Sequence, residues 1–254
     1  MSDVNGQTYR LYVALPDGYA ADDTTHYPVL YILDGHFGFP AAYSAREAMM
    51  LFDGLEPLIL VGIGDGDHAI DSWFANRFRD YIPSSDPVAD SSWAQRYGFP
   101  PGGLRSGGGP EFLRALRDEV IPHVDAAYRT TDDRGITGWS FGGLFATYAL
   151  FEAPGLFQRF GINSPSLFWN GGEMFETEAA FAEAHTELPA HVFLSIGSEE
   201  GRMTSDLERF AEVLQGRGYD GLTVDAVVFE GENHTSVVPA MLSRTLRVLY
   251  PSRE

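Results

Sequence analysis

One short segment of this chain places a serine in a setting that could make it a nucleophile. Residues 138–143 read Gly-Trp-Ser-Phe-Gly-Gly, which fits the pattern G-x-S-x-G with Ser140 at its centre. The segment follows a short strand-like run and precedes an apolar run with helical character. A strand, a sharp turn and a helix are the context in which this pattern exposes a nucleophilic hydroxyl. The sequence therefore predicts that Ser140 attacks a carbonyl group, rather than only capping a helix in a glycine-rich turn.

A serine nucleophile needs a general base, because its hydroxyl proton is held too tightly at neutral pH. For a nucleophile in this context, an acid and then a histidine follow along the chain. The histidines after Ser140 are His185, His191 and His234. His185 ends a predicted helix and His191 begins a predicted strand, whereas His234 lies between the last predicted strand and the last predicted helix. This loop position makes His234 the predicted base.

The acid that orients the histidine should follow the preceding predicted strand. There, residues 197–201 read Gly-Ser-Glu-Glu-Gly. Glu200 is the preferred candidate, Glu199 is the reserve and Asp206 comes third. A carboxylate at this position would hold the imidazole tautomer and stabilise the imidazolium ion that forms during catalysis.

The oxyanion that forms during ester cleavage needs two N–H donors. The residue after the nucleophile normally supplies one of them, so Phe141 is the first candidate. The second donor should follow the predicted strand 28–33, where the backbone N–H of His36 is preferred and that of Phe37 is the alternative. His36 could instead act through its ring.

These residues have to be positioned by a sheet whose strands end at one edge. Short apolar runs alternate with helical patterns, which is typical of an α/β protein with a mostly parallel central sheet and helices on both faces. We expect a single domain over residues 1–254. Predicted strands cover 8–15 at a sheet edge, 28–33, 57–63, 135–139, 160–163, 192–196 and 222–229, and predicted helices cover 110–127, 141–151, 203–215 and 237–248. Pro122 should kink or end the first of these helices.

Residues 83–110 are rich in glycine and proline and have no periodic pattern. Such a long loop within a compact domain is usually functional. We expect a mobile flap beside the site, in which Trp93, Tyr97 and Phe99 help to select the substrate. Shortening residues 102–109 should then change KM with little loss of melting temperature.

Side chains near the predicted loops suggest how a substrate would be held. The aromatic candidates for an acyl pocket are Trp73, Phe74, Trp93, Phe168 and Trp169, and each of them could instead fill the core. Trp169 is the preferred one of this set. Arg77 and Arg79 could receive a carboxylate or a catecholate of the substrate. The alternative is that these arginines pair with Asp80 or Asp71.

The composition excludes several classes of partner and site. The net charge of −19 repels nucleic acid and anionic membrane surfaces, which leaves a small-molecule ester as the expected partner. The absence of cysteine excludes disulfides, thiolate metal sites and a cysteine nucleophile. No run approaches the roughly 18 apolar residues of a membrane helix. The first residues lack the features of a signal peptide, which favours a cytoplasmic protein.

Several segments along the chain together resemble one family. They cover residues 27–35, 77–83, 112–129, 138–143, 163–169 and 233–234. They resemble the putative esterase family of α/β-hydrolases, which includes enterobactin-type siderophore esterases, feruloyl esterases, S-formylglutathione hydrolases and mycolyltransferases. The resemblance implies a Ser-acid-His triad that needs neither a metal nor a cofactor. In the family the acid stands three residues after a glycine, which corresponds to Glu200 after Gly197, where many members have aspartate.

The sequence thus predicts a serine carboxylic ester hydrolase that acts through an acyl-enzyme. Its substrate would be a siderophore-like ester or a general small acyl or aryl ester. Two alternatives stay open at this point. The same triad could pass the acyl group to an alcohol as an acyltransferase, or the chain could be a non-catalytic binding protein on a hydrolase fold.

Overall fold

A twisted sheet runs through the centre of the computed structural model, which describes residues 1–52, 54–66 and 69–252. Its strands are β1 (Tyr9–Ala14), β2 (Tyr27–Ile32), β3 (Ile59–Asp65), β4 (Thr130–Trp139), β5 (Arg159–Asn163), β6 (Glu187–Gly197) and β7 (Asp220–Phe229). They lie in the order β1-β3-β2-β4-β5-β6-β7. Only the edge pair β1 and β3 is antiparallel among the pairs in this sheet. The predicted α/β class with a mostly parallel sheet is confirmed.

Helices cover both faces of the sheet. They are α1 (Gly35–Phe52), α2 (Ile70–Asp80), α3 (Pro87–Tyr97), α4 (Gly109–Ala115), α5 (Ile121–Ala127), α6 (Phe141–Glu152), α7 (Glu173–Ala184), α8 (Arg202–Arg217) and α9 (Val238–Leu249). Alternate residues of β2 face opposite cores, so Leu30 and Ile32 pack towards α1 and α9 while Val29 and Tyr31 pack towards the other helices. Because both faces are covered, the strand is a continuous apolar run. Among the helices of the described residues, none is long and apolar enough to span a bilayer.

The parallel strands place the predicted site residues along one edge of the sheet. β4 lies between β2 and β5, and β6 pairs with β5 and β7. The loops after β2, β4, β5, β6 and β7 therefore meet at the carboxyl edge, where ligands bind in open α/β sheets. This topology brings together segments that are far apart in the chain.

The predicted helix 110–127 is interrupted as expected. A π-helical turn over Leu116–Val120 separates α4 from α5, and Pro122 lies in the first turn of α5. Proline lacks the N–H that would continue the α-helical ladder, so the wider turn accommodates it. Helices α1, α2 and α3 have no counterpart among the predicted helices, whereas α7 ends next to His185, where a helix was expected to end. In α1, the glycines and Pro40 near its start obscure the periodic pattern, and packing on the sheet stabilises the helix instead.

The segment 83–110 is more structured than the sequence suggested, because it contains α3. The Asp86 side chain accepts hydrogen bonds from the N–H groups of Val88 and Ala89, Pro87 occupies the first turn, and Gly98 ends the helix with φ 75°. These are ordinary capping signals. They were overlooked because the apolar residues of this helix do not form a clear stripe.

The glycines at the end of this segment pack against α2 and the residues that follow it. The N–H groups of Gly107 and Gly109 donate to the Ile82 carbonyl at 3.1 and 3.1 Å, and Gly108 donates to the Arg79 carbonyl at 3.0 Å. A Cβ atom at Gly109 would lie 2.8 Å from Pro83 Cα. These contacts favour a stabilising role for Gly107–Gly109, which is opposite to the expectation that residues 102–109 can be shortened at little cost in stability.

We expect Gly109→Ala to destabilise the protein by about 1–3 kcal/mol, because the added methyl forces the backbone at Pro83 to move. For a protein of this size, this lowers the melting temperature by roughly 2–4 °C per kcal/mol, which a thermal unfolding scan measures. Gly216→Ala is the matched control, since a Cβ atom there meets nothing within 4 Å. An unchanged melting temperature for Gly109→Ala would show that the glycine segment is loosely packed.

Candidate active site

The predicted nucleophile lies on a sharp, strained turn. Ser140 joins the end of β4 to the start of α6 with φ 60° and ψ −117°. Such a conformation costs a non-glycine residue about 1–3 kcal/mol and is typical of functional sites. The turn requires glycine at position 138, where a Cβ atom would lie 2.3 Å from the Gly142 carbonyl oxygen. Gly138 is therefore needed so that strand and helix can approach each other.

Hydrogen bonds from the loop after β5 hold this turn in place. The Ser140 N–H donates to the Asn163 carbonyl at 3.1 Å, and the Ser166 N–H donates to the Ser140 carbonyl at 3.1 Å. The hydroxyl oxygens of Ser140 and Ser166 are 3.5 Å apart. Phe141 begins α6, so its N–H belongs to the first helical turn, where no intrahelical acceptor exists. The helix dipole there favours an anion.

The predicted base and acid are in direct contact. His234 Nδ1 lies 2.5 Å from Glu200 Oε2. Because an ionised carboxylate only accepts hydrogen bonds, Nδ1 carries the proton and Nε2 remains as the basic nitrogen. The His234 ring also packs on the Trp139 ring, with centroids 4.8 Å apart. Since Trp139 precedes Ser140, this contact holds the base against the nucleophile turn.

The acid is buried and fully hydrogen bonded. Its side chain is 1% exposed, and Oε1 accepts from Ser164 Oγ at 2.7 Å and from the Gly197 N–H at 2.8 Å. Burial opposes ionisation of Glu200, but the hydrogen bonds from His234, Ser164 and Gly197 outweigh it and hold the pKa of the carboxyl below its usual value. Glu200 therefore stays ionised at neutral pH, as a partner of an imidazolium ion must.

The other acid candidates are directed elsewhere. Glu199 is exposed, and its backbone N–H donates to the Glu232 carbonyl at 3.0 Å. Asp206 pairs with Arg202 at 3.3 Å on α8. Of the three candidate acids, Glu200 is therefore the one that contacts the His234 ring.

The turn after β2 presents backbone N–H groups at the start of α1. Asp34 has φ 52°, and its carbonyl accepts from the N–H groups of Phe37 and Gly38, both at 2.9 Å. The N–H of Phe37 is therefore engaged within the helix, which disfavours it as an oxyanion donor. The His36 ring lies edge-on to Tyr12 at 5.8 Å, over Gly64. The ring thus faces β1 and β3, so only the backbone N–H of His36 fits the predicted role.

A buried ion pair joins this turn to the nucleophile turn. Arg77 Nε and Nη2 donate to the Asp34 carboxylate at 2.9 and 3.0 Å, and Nη2 also donates to the Trp139 carbonyl at 3.1 Å. The side chains of Arg77 and Asp34 are 5% and 6% exposed. Trp73 Nε1 donates to the same carboxylate at 3.1 Å. Arg77 therefore links the two loops from which the predicted oxyanion donors come.

An apolar pocket of about 520 Å³ opens beside these turns, between α1 and α9. Its lining includes Phe37, Trp73, Trp139, Val238 and Met241. Gly138 and Thr235 also line it, so the pocket borders both the nucleophile turn and the histidine loop. Within the described part of the chain, no group of three or more His, Asp or Glu side chains could hold a metal ion.

Comparison with known proteins identifies the family. The model of the putative esterase family matches residues 2–234. This chain belongs to that family. The ferri-bacillibactin esterase of Bacillus subtilis is 28% identical over 96% of this chain and 86% of its own length. The siderophore triacetylfusarinine C esterase of Aspergillus fumigatus is 26% identical over 96% of this chain and 89% of its own length.

Solved structures agree with this assignment to the putative esterase family. The BES protein of Bacillus cereus is 29% identical, has a TM-score of 0.82, and matches 98% of this chain and 91% of that protein. An IroE-like serine hydrolase of Shewanella oneidensis is 25% identical, has a TM-score of 0.81, and matches 97% and 77% respectively. The fold is the α/β-hydrolase fold, and the relatives support ester hydrolysis as the activity of this family member.

The structure corrects two predictions about substrate contacts. Arg77 was expected to bind substrate or to pair with Asp80 or Asp71, but it pairs with Asp34. For Arg79, the alternative of pairing with Asp80 is confirmed, at 2.7 Å. No local signal relates Arg77 to Asp34, because the two are 43 residues apart in the chain.

The preferred aromatic residue is also in the core rather than in the pocket. Trp169 is 3% exposed, packs on Phe78 and Phe141, and donates from Nε1 to Ser84 Oγ at 3.2 Å. Phe74 and Trp93 pack on Phe78 as well, and Phe168 is half-buried away from the pocket lining. Of the predicted aromatic set, Trp73 lines the pocket. Phe37 and Trp139 also line the pocket; both lie within the motif turns but were not among the predicted aromatic set.

We expect Glu200→Gln to lower kcat by about 10³–10⁴-fold, because the amide would present the wrong hydrogen-bond pattern to the imidazole. Glu199→Gln is the matched control, as it removes one carboxylate from the same loop without a contact to His234. Steady-state kinetics on a chromogenic ester provide the measurement. A larger loss of kcat in Glu199→Gln than in Glu200→Gln would show that Glu199, and not Glu200, is the acid.

Asp34→Asn should cost about 3–5 kcal/mol of unfolding free energy, because the buried Arg77 guanidinium would lose its counter-charge. In the protein that remains folded, kcat should fall by about 10²-fold through misplaced oxyanion donors, with a smaller change in KM. Urea unfolding and kinetics measure the two effects. Asp118→Asn removes an exposed ion pair with Arg117 and should leave both quantities nearly unchanged; equal effects of the two variants would contradict the linking role of Arg77.

Proposed function

We propose that the protein is a serine carboxylic ester hydrolase that works through an acyl-enzyme, with Ser140, His234 and Glu200 as its catalytic triad. The observation that carries this proposal is the contact of His234 Nδ1 with the buried Glu200 carboxylate at 2.5 Å. The His234 ring packs on Trp139, the residue before Ser140 on the strained strand–helix turn. A histidine held in this tautomer can activate a serine hydroxyl as its general base.

In the proposed first step, Ser140 Oγ bonds to the ester carbonyl carbon and its proton passes to His234 Nε2. Glu200 keeps the Nδ1 proton in place and stabilises the imidazolium. The N–H groups of Phe141 and His36 donate to the oxyanion, and losing one such donor costs about 3–4 kcal/mol in comparable enzymes. The tetrahedral intermediate then expels the alcohol, which takes the proton from His234 and leaves the acyl group on Ser140.

A water molecule completes the proposed cycle. It attacks the acyl carbon while His234 accepts one of its protons, and the carboxylic acid leaves as Ser140 regains a proton. The His234 side chain is 35% exposed, so water can reach the base directly. This exposure favours hydrolysis over transfer to another alcohol, because an acyltransferase has to keep water away from the acyl-enzyme.

Siderophore esters are the substrate class that the relatives favour. The Bacillus subtilis and Aspergillus fumigatus proteins are both named for the hydrolysis of siderophore esters, and each is similar to nearly the whole chain. A panel of siderophore, feruloyl, aryl and acylglycerol esters tests this choice. A kcat/KM for siderophore esters below that for the other classes would remove the substrate assignment but not the triad.

We expect Ser140→Ala to fold like the native protein and to lose at least about 10⁴-fold in kcat. A fluorophosphonate probe should label the native protein at Ser140 and should not label this variant. Ser166→Ala is the matched control, because it removes the neighbouring hydroxyl 3.5 Å away and should retain labelling. Activity within tenfold of the native level in Ser140→Ala would overturn the assignment of the nucleophile.

A further inference from the structure

The pocket between α1 and α9 lies where one side of a bound ester would project. Gly138 and Trp139 line it immediately before Ser140, and Thr235 lines it immediately after His234. The pocket therefore borders the chain neighbours of both proposed reacting residues, so a group attached to the ester carbon would lie next to it. This step rests on the proposed function, since it takes Ser140 and His234 as the reacting residues.

Three aromatic side chains belong to the lining of the pocket. Phe37 and Trp73 contact each other edge to face, with ring centroids 5.0 Å apart, and Trp139 is the third aromatic residue of the lining. Phe37 and Ile70 are left 52% and 61% exposed, which is unusual for large apolar side chains grouped around a cavity. The volume of about 520 Å³ lies in the range of pockets that enclose small organic ligands.

The charges at the pocket are already neutralised. Among the described residues that line it, the charged group is Asp34, and its carboxylate accepts from Arg77 and from Trp73. Because Arg77 already neutralises this carboxylate, it would attract a cationic substrate group only weakly. An anionic group would find no cation in the described lining and would face a protein of net charge −19. Burying an unpaired charge in such a lining is strongly unfavourable.

We propose that this pocket binds an uncharged aromatic group on the acyl side of the ester, and that it excludes esters with an anionic group in that position. Phe37, Trp73 and Trp139 supply ring faces and edges for the aromatic group, which favours it over an aliphatic group of equal size. Specificity then arises from the absence of a counter-ion as much as from the shape of the pocket.

Two ethyl esters test the proposal directly: ethyl 3-phenylpropanoate and its analogue with a carboxylate at the para position of the ring. They share the leaving group and the carbonyl environment and differ in the carboxylate group at the far end of the ring. We expect kcat/KM to be at least about 100-fold lower for the carboxylated ester. Ethyl 3-cyclohexylpropanoate should be about 2–10-fold slower than the phenyl ester.

Variants of the pocket provide a second readout. Ala41 lines the pocket on α1, and Ala41→Phe should lower kcat/KM for the phenyl ester at least about tenfold, mainly through KM. Ala48→Phe makes the same substitution at an exposed position of α1 and should leave the kinetics unchanged. A general disturbance of α1 would affect both variants, whereas filling the pocket affects only the first.

A cation placed at the rim should reverse the selectivity. Ile70 is 61% exposed at the pocket, so Ile70→Arg can be made without disturbing the core. It should raise the kcat/KM ratio of carboxylated to phenyl ester at least about tenfold. Val88→Arg is the control, because Val88 is 81% exposed on α3 and adds the same charge outside the pocket lining.

The outcomes separate this inference from the proposed function. Equal kcat/KM values for the two ethyl esters, or equal effects of Ala41→Phe and Ala48→Phe, would overturn the inference while fluorophosphonate labelling of Ser140 still supported the triad. A protein that neither reacts with the probe nor cleaves any ester would overturn the proposed function, and the inference with it.

Discussion

The buried ion pair between Arg77 and Asp34 is the interaction on which the geometry of the candidate site depends. Burying two charges carries a large desolvation penalty, which is offset here because Arg77 donates to both carboxylate oxygens and Trp73 adds a third hydrogen bond. The same guanidinium reaches the Trp139 carbonyl. One side chain thus fixes the turn after β2 relative to the turn after β4, and the two predicted oxyanion donors come from these turns.

A second buried network supports the site from the opposite side. Asn163 donates to Thr137 Oγ1 at 2.9 Å and accepts from Ser195 Oγ at 2.6 Å, so the ends of β4, β5 and β6 are joined by side chains as well as by the sheet. The loop that follows then contacts both partners of the site, because Ser166 binds the Ser140 backbone and Ser164 binds Glu200. Networks that are satisfied in this way hold catalytic groups rigidly.

The acidic composition of the protein bears on which substrate charges the pocket can accept. From the sequence, the charge of −19 excluded classes of partner and said nothing about the site. In the structure, the arginine that was a candidate for holding an anionic substrate is committed to Asp34, so that candidate does not supply a counter-ion for the substrate. The same ion pair therefore links the turns after β2 and β4 and engages Asp34, the charged residue among the described residues that line the pocket.

The sequence by itself determined the features that depend on short spacing. The glycines around Ser140 predict a tight turn, and at Gly138 neighbouring backbone atoms leave no room for a side chain. Short apolar runs that alternate with helical patterns predict the parallel sheet that orders the loops carrying His234 and Glu200. Tertiary structure alone decided which side chains meet across the sheet. Arg77 and Asp34 are 43 residues apart in the chain, and Trp169 became a core residue because Phe78 and Phe141 surround it. Such contacts arise from packing between elements, which spacing along the chain does not encode.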